Sequence, residues 1–173
     1  GKPTGYCTWN PLDVQGLDSG NLLDGNTSIT HSAGDWLAIR ATQWISSGKW
    51  YYECTVGNNQ YTSIGVGADD YAMNPGGGDW CNVANVYALY PYSGNVYDAA
   101  SSRAYTSADT TASGVVYGMA IDMDNKTLRF YKDGVDLGIA FSSSTATNFV
   151  NKTSVAPMAW LYNQSGTDEY NFG

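Results

Sequence analysis

Residues 115–138 read VVYGMAIDMDNKTLRFYKDGVDLG, and their pattern is the clearest indication of the fold class. Its first part repeats apolar side chains with the two-residue period of a half-buried β-strand; they are Val115, Tyr117, Met119, Ile121 and Met123. A turn at 124–126 leads into a second predicted strand over 127–132. Asp133-Gly134 then favours a tight hairpin into a third strand over 135–138. The stretch therefore predicts consecutive antiparallel strands.

Similar alternation recurs on both sides of this stretch. In residues 49–56 it puts Trp50, Tyr52, Cys54 and Val56 on a predicted core face. Further strands are predicted at 62–68, 86–92, 96–99, 155–162 and 167–172. Residues 27–30 and 36–42 are predicted to pair across a turn at 32–35, residues 10–13 to turn the chain, and residues 100–113 and 142–153 to form loops. About ten or eleven short strands predict an all-β fold, either two packed antiparallel sheets or a barrel.

Composition supports this class and argues against several functions. The 173 residues include 14 Tyr, 6 Trp and 20 Gly, which suit strands and turns. The chain contains eight Lys and Arg residues and 16 Asp and Glu residues, which gives a formal net charge of −8. Nucleic-acid binding needs clustered cations, so it is not expected. No apolar run is long enough for membrane insertion.

The length predicts one domain over residues 1–173. Because residue 1 is Gly rather than Met, we expect a module of a longer polypeptide. Cys7, Cys54 and Cys81 can form at most one disulfide, and we expect all of them to be reduced.

Several motifs resemble one family, in the order that the family has them. They are SGKWYYECTV at 47–56, TSIGVG at 62–67, the aromatic residues around Gly94, the stretch 118–135, Pro157 and NFG at 171–173. Residues 45–173 are similar to the core of the SPRY domain family, after a lead-in over 1–44. Residues 7–13 resemble the lead-in of SPRY modules in bacteriophage structural proteins. Pro91, where the family usually has Gly, and the glycine-rich segment 69–85 depart from the pattern.

The resemblance implies a bent sandwich of two antiparallel sheets, similar to the concanavalin A-like lectins. It also implies a binding module without catalysis, whose ligands contact loops at one end of the sandwich. By position these loops are the one before Tyr90, the segment 100–113 and the turn at 162–164.

Catalytic and metal chemistry find little support in the sequence. No nucleophile motif surrounds the single histidine, His31, for which we expect a surface or turn role. Asp69, Asp70 and Asp79 offer the carboxylates that glycoside hydrolysis or calcium binding would use. Three consecutive glycines among them make a poor rigid frame, so solvated turn aspartates are the simpler interpretation. We predict no catalytic residues, no metal ligands and no cofactor.

Aromatic side chains in predicted loops are the main functional signal. Tyr and Trp give a large contact area at low entropic cost, so binding loops favour them. Trp50, Tyr52, Tyr117 and Phe130 are expected in the core, whereas the loop rings either make contacts or plug the end of the sandwich. We predict a ligand site formed by Tyr71, Trp80, Tyr90, Tyr92, Tyr162, Asn163 and Gln164.

These expectations lead to a functional hypothesis. We interpret the chain as a viral binding module, such as a bacteriophage tail-fibre adhesin located on the virion and assembled in the host cytoplasm. Its partner would be a host-surface protein or glycan, or another virion protein, and an oligomer formed through the parent protein would add avidity. A docking or capsid-decoration module and a carbohydrate-active enzyme stay open as alternatives.

Overall fold

The computed structural model describes residues 5–16, 22–57, 61–73, 81, 83–98, 101–110, 113–146, 148–162 and 166–173. Within these residues, two antiparallel sheets of seven strands each face one another. Sheet 1 has the order β1 (Trp9–Gln15), β4 (Trp36–Ala41), β13 (Val155–Tyr162), β6 (Thr62–Ala68), β7 (Val86–Tyr90), β8 (Asn95–Asp98), β9 (Ser101–Ala104). Sheet 2 has the order β12 (Val135–Phe141), β11 (Thr127–Lys132), β10 (Val116–Asp122), β5 (Lys49–Thr55), β14 (Thr167–Asn171), β3 (Ser28–Thr30), β2 (Leu22–Leu23). The predicted sandwich is confirmed, with more strands than the sequence suggested.

The stretch 115–138 forms the adjacent strands β10, β11 and β12. Met119 lies opposite Phe130 in the first ladder, and Lys132 lies opposite Val135 in the second. Asp133 and Gly134 have φ values of 48° and 78°, so both central residues of the turn adopt the left-handed conformation that tight hairpins need. The predicted hairpin is confirmed.

The main core lies between the sheets. Tyr52, Tyr117 and Phe130 are buried there as predicted, and the Tyr52 hydroxyl donates to the Gly65 carbonyl of the opposite sheet at 2.6 Å. The prediction for Trp50 is wrong, because its side chain is 46% exposed. Trp50 lies one residue from the start of β5, where its indole N–H donates to the Ser47 carbonyl at 2.9 Å. Alternation alone does not show how far along a strand the opposite sheet extends.

The predicted pairing of 27–30 with 36–42 is also wrong. Strand β3 pairs with β2 and β14 in sheet 2, whereas β4 pairs with β1 and β13 in sheet 1. Residues 31–35 therefore cross from one sheet to the other. His31 is buried in this crossover rather than exposed, and its Nε2 lies 2.9 Å from the Asp35 carbonyl oxygen.

Two predicted irregular segments contain strands. Residues 10–13 do not end a strand but bulge within β1, because Trp9 pairs with Ala41 while Val14 pairs with Ile39. The predicted loop 100–113 contains the edge strand β9. The predicted loop 142–153 contains a short 3-10 helix, Phe149–Asn151. No helix of the described ranges has the length and apolar character that crossing a membrane requires.

Candidate functional site

Aromatic residues converge at one edge of sheet 1. Strands β4, β13, β6, β7 and β8 are neighbours there and run antiparallel, so the start of one lies beside the end of the next. Trp36 begins β4 and pairs directly with Tyr162 at the end of β13. Tyr61 precedes β6, and Tyr90 ends β7. The topology therefore gathers side chains that are distant in the sequence.

These rings form a closed circuit, which we call the aromatic cluster: Trp36, Tyr162, Tyr61, Tyr92 and Tyr90. Going round it, successive ring centroids are 5.3, 5.6, 5.4, 5.8 and 6.3 Å apart. Tyr97 extends the circuit at 6.4 Å from Tyr90. All of these separations are within the range of favourable aromatic pairs, and the tilted and edge-on geometries are those that ring quadrupoles prefer.

The cluster rests on the outer face of sheet 1. Trp160, Met158, Ala38 and Ala88 are fully buried beneath it and form a second apolar core, separate from the one between the sheets. Four members of the cluster are only partly buried, whereas Tyr90 is 7% exposed. Burial raises the pKa of the Tyr90 phenol, which therefore remains a neutral hydrogen-bonding group at physiological pH. The cluster presents ring edges and hydroxyls on a rigid base.

The described residues of the segment 69–85, which are 69–73, 81 and 83–85, lie beside the neighbouring part of this outer face. Tyr71 and Cys81 pack into the second core, and the Cys81 thiol lies 3.5 Å from the Ser63 hydroxyl. Burial raises the pKa of Cys81 to about 12, which disfavours the thiolate form that reacts with electrophiles. Cys7, Cys54 and Cys81 are all unpaired.

One lysine ties together both ends of this segment. Lys152 is buried, and its ammonium contacts an Asp70 carboxylate oxygen and the Asn85 side-chain oxygen, each at 2.6 Å. Asp69 accepts hydrogen bonds from Thr153 and Ser154, and these bonds lower the pKa of its carboxyl. Both described ends of the segment 69–85 are therefore anchored to the loop before β13.

The turn that carries Tyr92 is also fixed. Gly94 has a φ of 71°, and a Cβ there would lie 2.2 Å from the Thr106 carbonyl oxygen. The backbone N–H groups of Tyr105 and Thr106 both donate to the Gly94 carbonyl, and Asp109 N–H donates to Pro91. Residues 105–109 therefore hold the 91–94 turn in place beside the cluster.

The structure brings together only part of the site predicted from the sequence. Tyr90, Tyr92 and Tyr162 meet in the cluster. Tyr71 lies beyond the far end of β6, is 6% exposed, and packs 5.6 Å from the Arg40 guanidinium. Trp80, Asn163 and Gln164 lie outside the described residues. The contact role of all these residues stays a prediction.

Sequence reasoning missed Trp36 and Tyr61. Trp36 is the first residue of a strand, and Tyr61 lies immediately before one, so neither falls in a predicted loop. Aromatic residues at the starts or ends of several strands are a usable signal once the strand order is known. The order could not be obtained from the sequence because β13, from late in the chain, separates β4 from β6.

The carboxylates considered for catalysis or calcium have other partners. Asp70 pairs with Lys152, and Asp69 bonds to two hydroxyls; Asp79 lies outside the described residues. Within the described part of the chain, no group of three or more His, Cys, Asp or Glu side chains could hold a metal ion.

Fold and site together define a β-sandwich domain with a cluster of aromatic side chains at one edge of sheet 1. A family model described as "SPRY domain" matches residues 49–170. The chain belongs to the SPRY domain family, whose members are generally protein–protein interaction modules.

Relatives and solved structures agree with this assignment. The chain is 32% identical over 143 residues to the Ran-binding proteins 9/10 homolog of Drosophila melanogaster, a match that covers 77% of this chain and 14% of the relative. It is 27% identical over 162 residues to the probable ATP-dependent RNA helicase ddx1 of Dictyostelium discoideum, covering 94% of this chain and 19% of the relative. The chain thus spans less than a fifth of these relatives.

Two solved structures share the fold. The SPRY domain of human HERC1 superposes with a TM-score of 0.73 at 18% identity, covering 94% of this chain and 96% of that one. The PSpry domain of TRIM65 gives a TM-score of 0.72 at 13% identity, covering 96% and 92%.

Proposed function

We propose that the chain is a non-catalytic protein-recognition module that contacts its partner through the aromatic cluster. The observation that carries the proposal is the closed circuit of rings on the outer face of sheet 1. Protein interfaces gain most of their free energy from a few Trp, Tyr and Arg side chains in well-packed surroundings. The cluster supplies such side chains already oriented by one another.

The character of the cluster indicates the kind of partner. Its rings offer apolar faces and several phenol hydroxyls, and the cluster is made of Trp and Tyr side chains alone, with no carboxylate, ammonium or guanidinium among them. A partner segment with one or two apolar anchors, flanked by backbone or side-chain hydrogen-bonding groups, fits this chemistry. Because the rings pack on a fully buried base, little conformational entropy is lost on binding.

Comparative affinity purification tests the proposal. The chain and its Tyr92→Ala and Tyr162→Ala variants serve as bait against an extract of the source cells, with quantitative mass spectrometry as the readout. We expect one set of proteins to be enriched by the unaltered chain and depleted at least tenfold by both variants. Direct binding of the purified partner, measured by calorimetry, should show the same loss.

A matched control keeps the result specific. Tyr51 lies on the outer face of sheet 2 and is 44% exposed, so Tyr51→Ala removes a comparable ring from the opposite side. This variant should bind the partner as the unaltered chain does. Equal binding by all variants, at unchanged thermal stability, would exclude the cluster as the contact surface.

The biological setting expected from the sequence stays a prediction. A virion location, and a host-surface receptor, glycan or virion protein as partner, have no support from the Drosophila and Dictyostelium relatives, which are eukaryotic proteins. Identification of the partner in the purification experiment would decide between these settings.

A further inference from the structure

The outer face of sheet 2, on the opposite side of the molecule from the aromatic cluster, contains a trough along β10. Two rows of paired residues across β5, β10, β11 and β12 define it. The first row is Tyr51, Ala120, Arg129 and Ile139. The next row along the strands is Glu53, Gly118, Tyr131 and Asp136. In both rows β10 contributes the smallest side chain. The outer surface of sheet 2 is therefore recessed along β10, between the larger side chains of β5 on one side and β11 on the other.

Two spaces lie above the small residues of β10, one above Gly118 and one above Ala120. The space above Gly118 is filled by a side chain of the protein itself. A Cβ on Gly118 would lie 2.1 Å from the Tyr51 hydroxyl, so the Tyr51 side chain occupies the space above Gly118. Its ring packs edge-on against Tyr131 at 5.8 Å, and its hydroxyl donates to Glu53 at 2.9 Å. The rings of Tyr51 and Tyr131 therefore close one end of the trough.

The gap above Ala120 stays open. It has a volume of about 300 Å³, at the lower end of the range for small-molecule sites. Two strand spacings, roughly 9–10 Å, separate β5 from β11 across it. Trp50 and Ile139, each 46% exposed, add apolar surface to its walls. The gap has the dimensions of a compact ring rather than of an extended chain.

The charges around the gap are already balanced. Lys49 pairs with Asp122 at 3.6 Å, and Arg129 pairs with Asp136. An ionic ligand would have to compete with these pairs. A neutral ligand could instead take hydrogen bonds from the ammonium, the guanidinium and the Thr127 hydroxyl, and donate to the Asp122 carboxylate, without breaking either pair.

We infer that this trough binds a neutral pyranose unit of a carbohydrate. Such a ring has apolar C–H faces, which match the Ala120 methyl and the flanking Trp50 and Tyr131 rings. It also has hydroxyls around its perimeter, each of which donates and accepts, and these match the mixed donors and acceptors of the walls. A single-ring site of this kind binds weakly, with a dissociation constant of about 1 mM.

Titration of the ¹⁵N-labelled protein with maltotriose, cellotriose and triacetylchitotriose, up to about 10 mM, tests the inference by NMR. At least one of these sugars should shift the amide signals of Ala120, Arg129 and Ile139 and the Trp50 indole N–H in a saturable way. Ala120→Leu, which fills the trough from its floor, should weaken that binding at least tenfold. Trp50→Ala serves as a second variant. It removes an aromatic ring from the wall of the trough instead of filling it, and it should also weaken the sugar binding.

Two substitutions away from the trough serve as controls. Thr55→Leu places the same leucine side chain further along the outer face of β5, and it should leave the titration unchanged, as should Tyr92→Ala in the aromatic cluster. Failure of all three sugars, or equal binding by Ala120→Leu, would overturn the inference. So would an acidic phenylalanine-containing tetrapeptide that shifts the same signals when sugars do not, or self-association through this face in sedimentation equilibrium.

Discussion

Lys152→Met removes the link between the two ends of the segment 69–85 while keeping most of the buried side-chain volume. In the folded protein the Lys152 ammonium contacts Asp70 and Asn85 at 2.6 Å each. The substitution leaves both oxygen partners without this donor. The segment should then separate from the outer face of sheet 1 more easily than the strands beneath it.

The structure sets the size of the effect. Lys152 is 9% exposed but Asp70 is 54% exposed, so the pair lies between a surface ion pair and a buried one. Charge-assisted hydrogen bonds contribute about 1.5–3 kcal/mol, whereas exposed ion pairs contribute about 0–1 kcal/mol. Because Asp70 regains water in the variant, we expect unfolding free energy to fall by about 2 kcal/mol. For a domain of this size the melting temperature should fall by about 4–8 °C.

Urea unfolding and amide hydrogen exchange measure the global and local parts of this effect. Lys49→Met is the matched control, because Lys49 is 77% exposed and 3.6 Å from its partner, so it should change stability by less than about 0.5 kcal/mol. Exchange should accelerate in Lys152→Met alone at the amide of Tyr71, which donates to the Ala68 carbonyl, and at the amide of Ala68, which donates to the Asn85 carbonyl. Equal stability of the two variants, with unchanged exchange at these amides, would refute the proposed anchoring role.

Four further outcomes are expected. Tyr92→Ala should abolish partner binding in calorimetry at a small cost in stability, whereas Trp160→Ala, at a fully buried position, should cost about 3–5 kcal/mol in urea unfolding. Gly118→Ala should displace the Tyr51 ring and destabilise the fold by about 1 kcal/mol, and an unchanged urea midpoint would contradict this packing of Tyr51 over Gly118. Burial raises the pKa of at least seven of the 14 tyrosines, so stability should be intact below pH 10 and fall above it, and the buried Tyr52 and Tyr170 phenols should ionise in absorbance at 295 nm only as the protein unfolds. Cys81 should resist a thiol reagent in the native protein and react fully in denaturant, whereas rapid native labelling would show that its cover opens.

The strands that sequence reasoning identified best are those whose partners are close in the chain. The β10–β11–β12 meander depends on local alternation and on the turn at Asp133-Gly134, both of which are visible in the sequence. By contrast, β3 and β4 flank an equally plain turn and yet belong to different sheets. The partners that decide this, β14 and β13, come from the last part of the chain, so local signals could not show it.

The site was predictable to a similar degree. Aromatic residues near predicted loops led to Tyr90, Tyr92 and Tyr162, which the structure brings together. The same criterion also led to Tyr71, which is buried against Arg40, since proximity to a loop does not distinguish a ring that contacts partners from one that fills a core. Trp36 and Tyr61 belong to the cluster because of strand order, which is a property of the whole sandwich.

The place of β14 in sheet 2 has a consequence for synthesis. This strand lies between β5 and β3 and joins them, although it is made last of the three. Until Asn171 has left the ribosomal exit tunnel, the nascent chain exposes two unpaired strand edges in the middle of an unfinished sheet. Such edges favour aggregation, so a translation stall ahead of β14 should make this chain depend on chaperones.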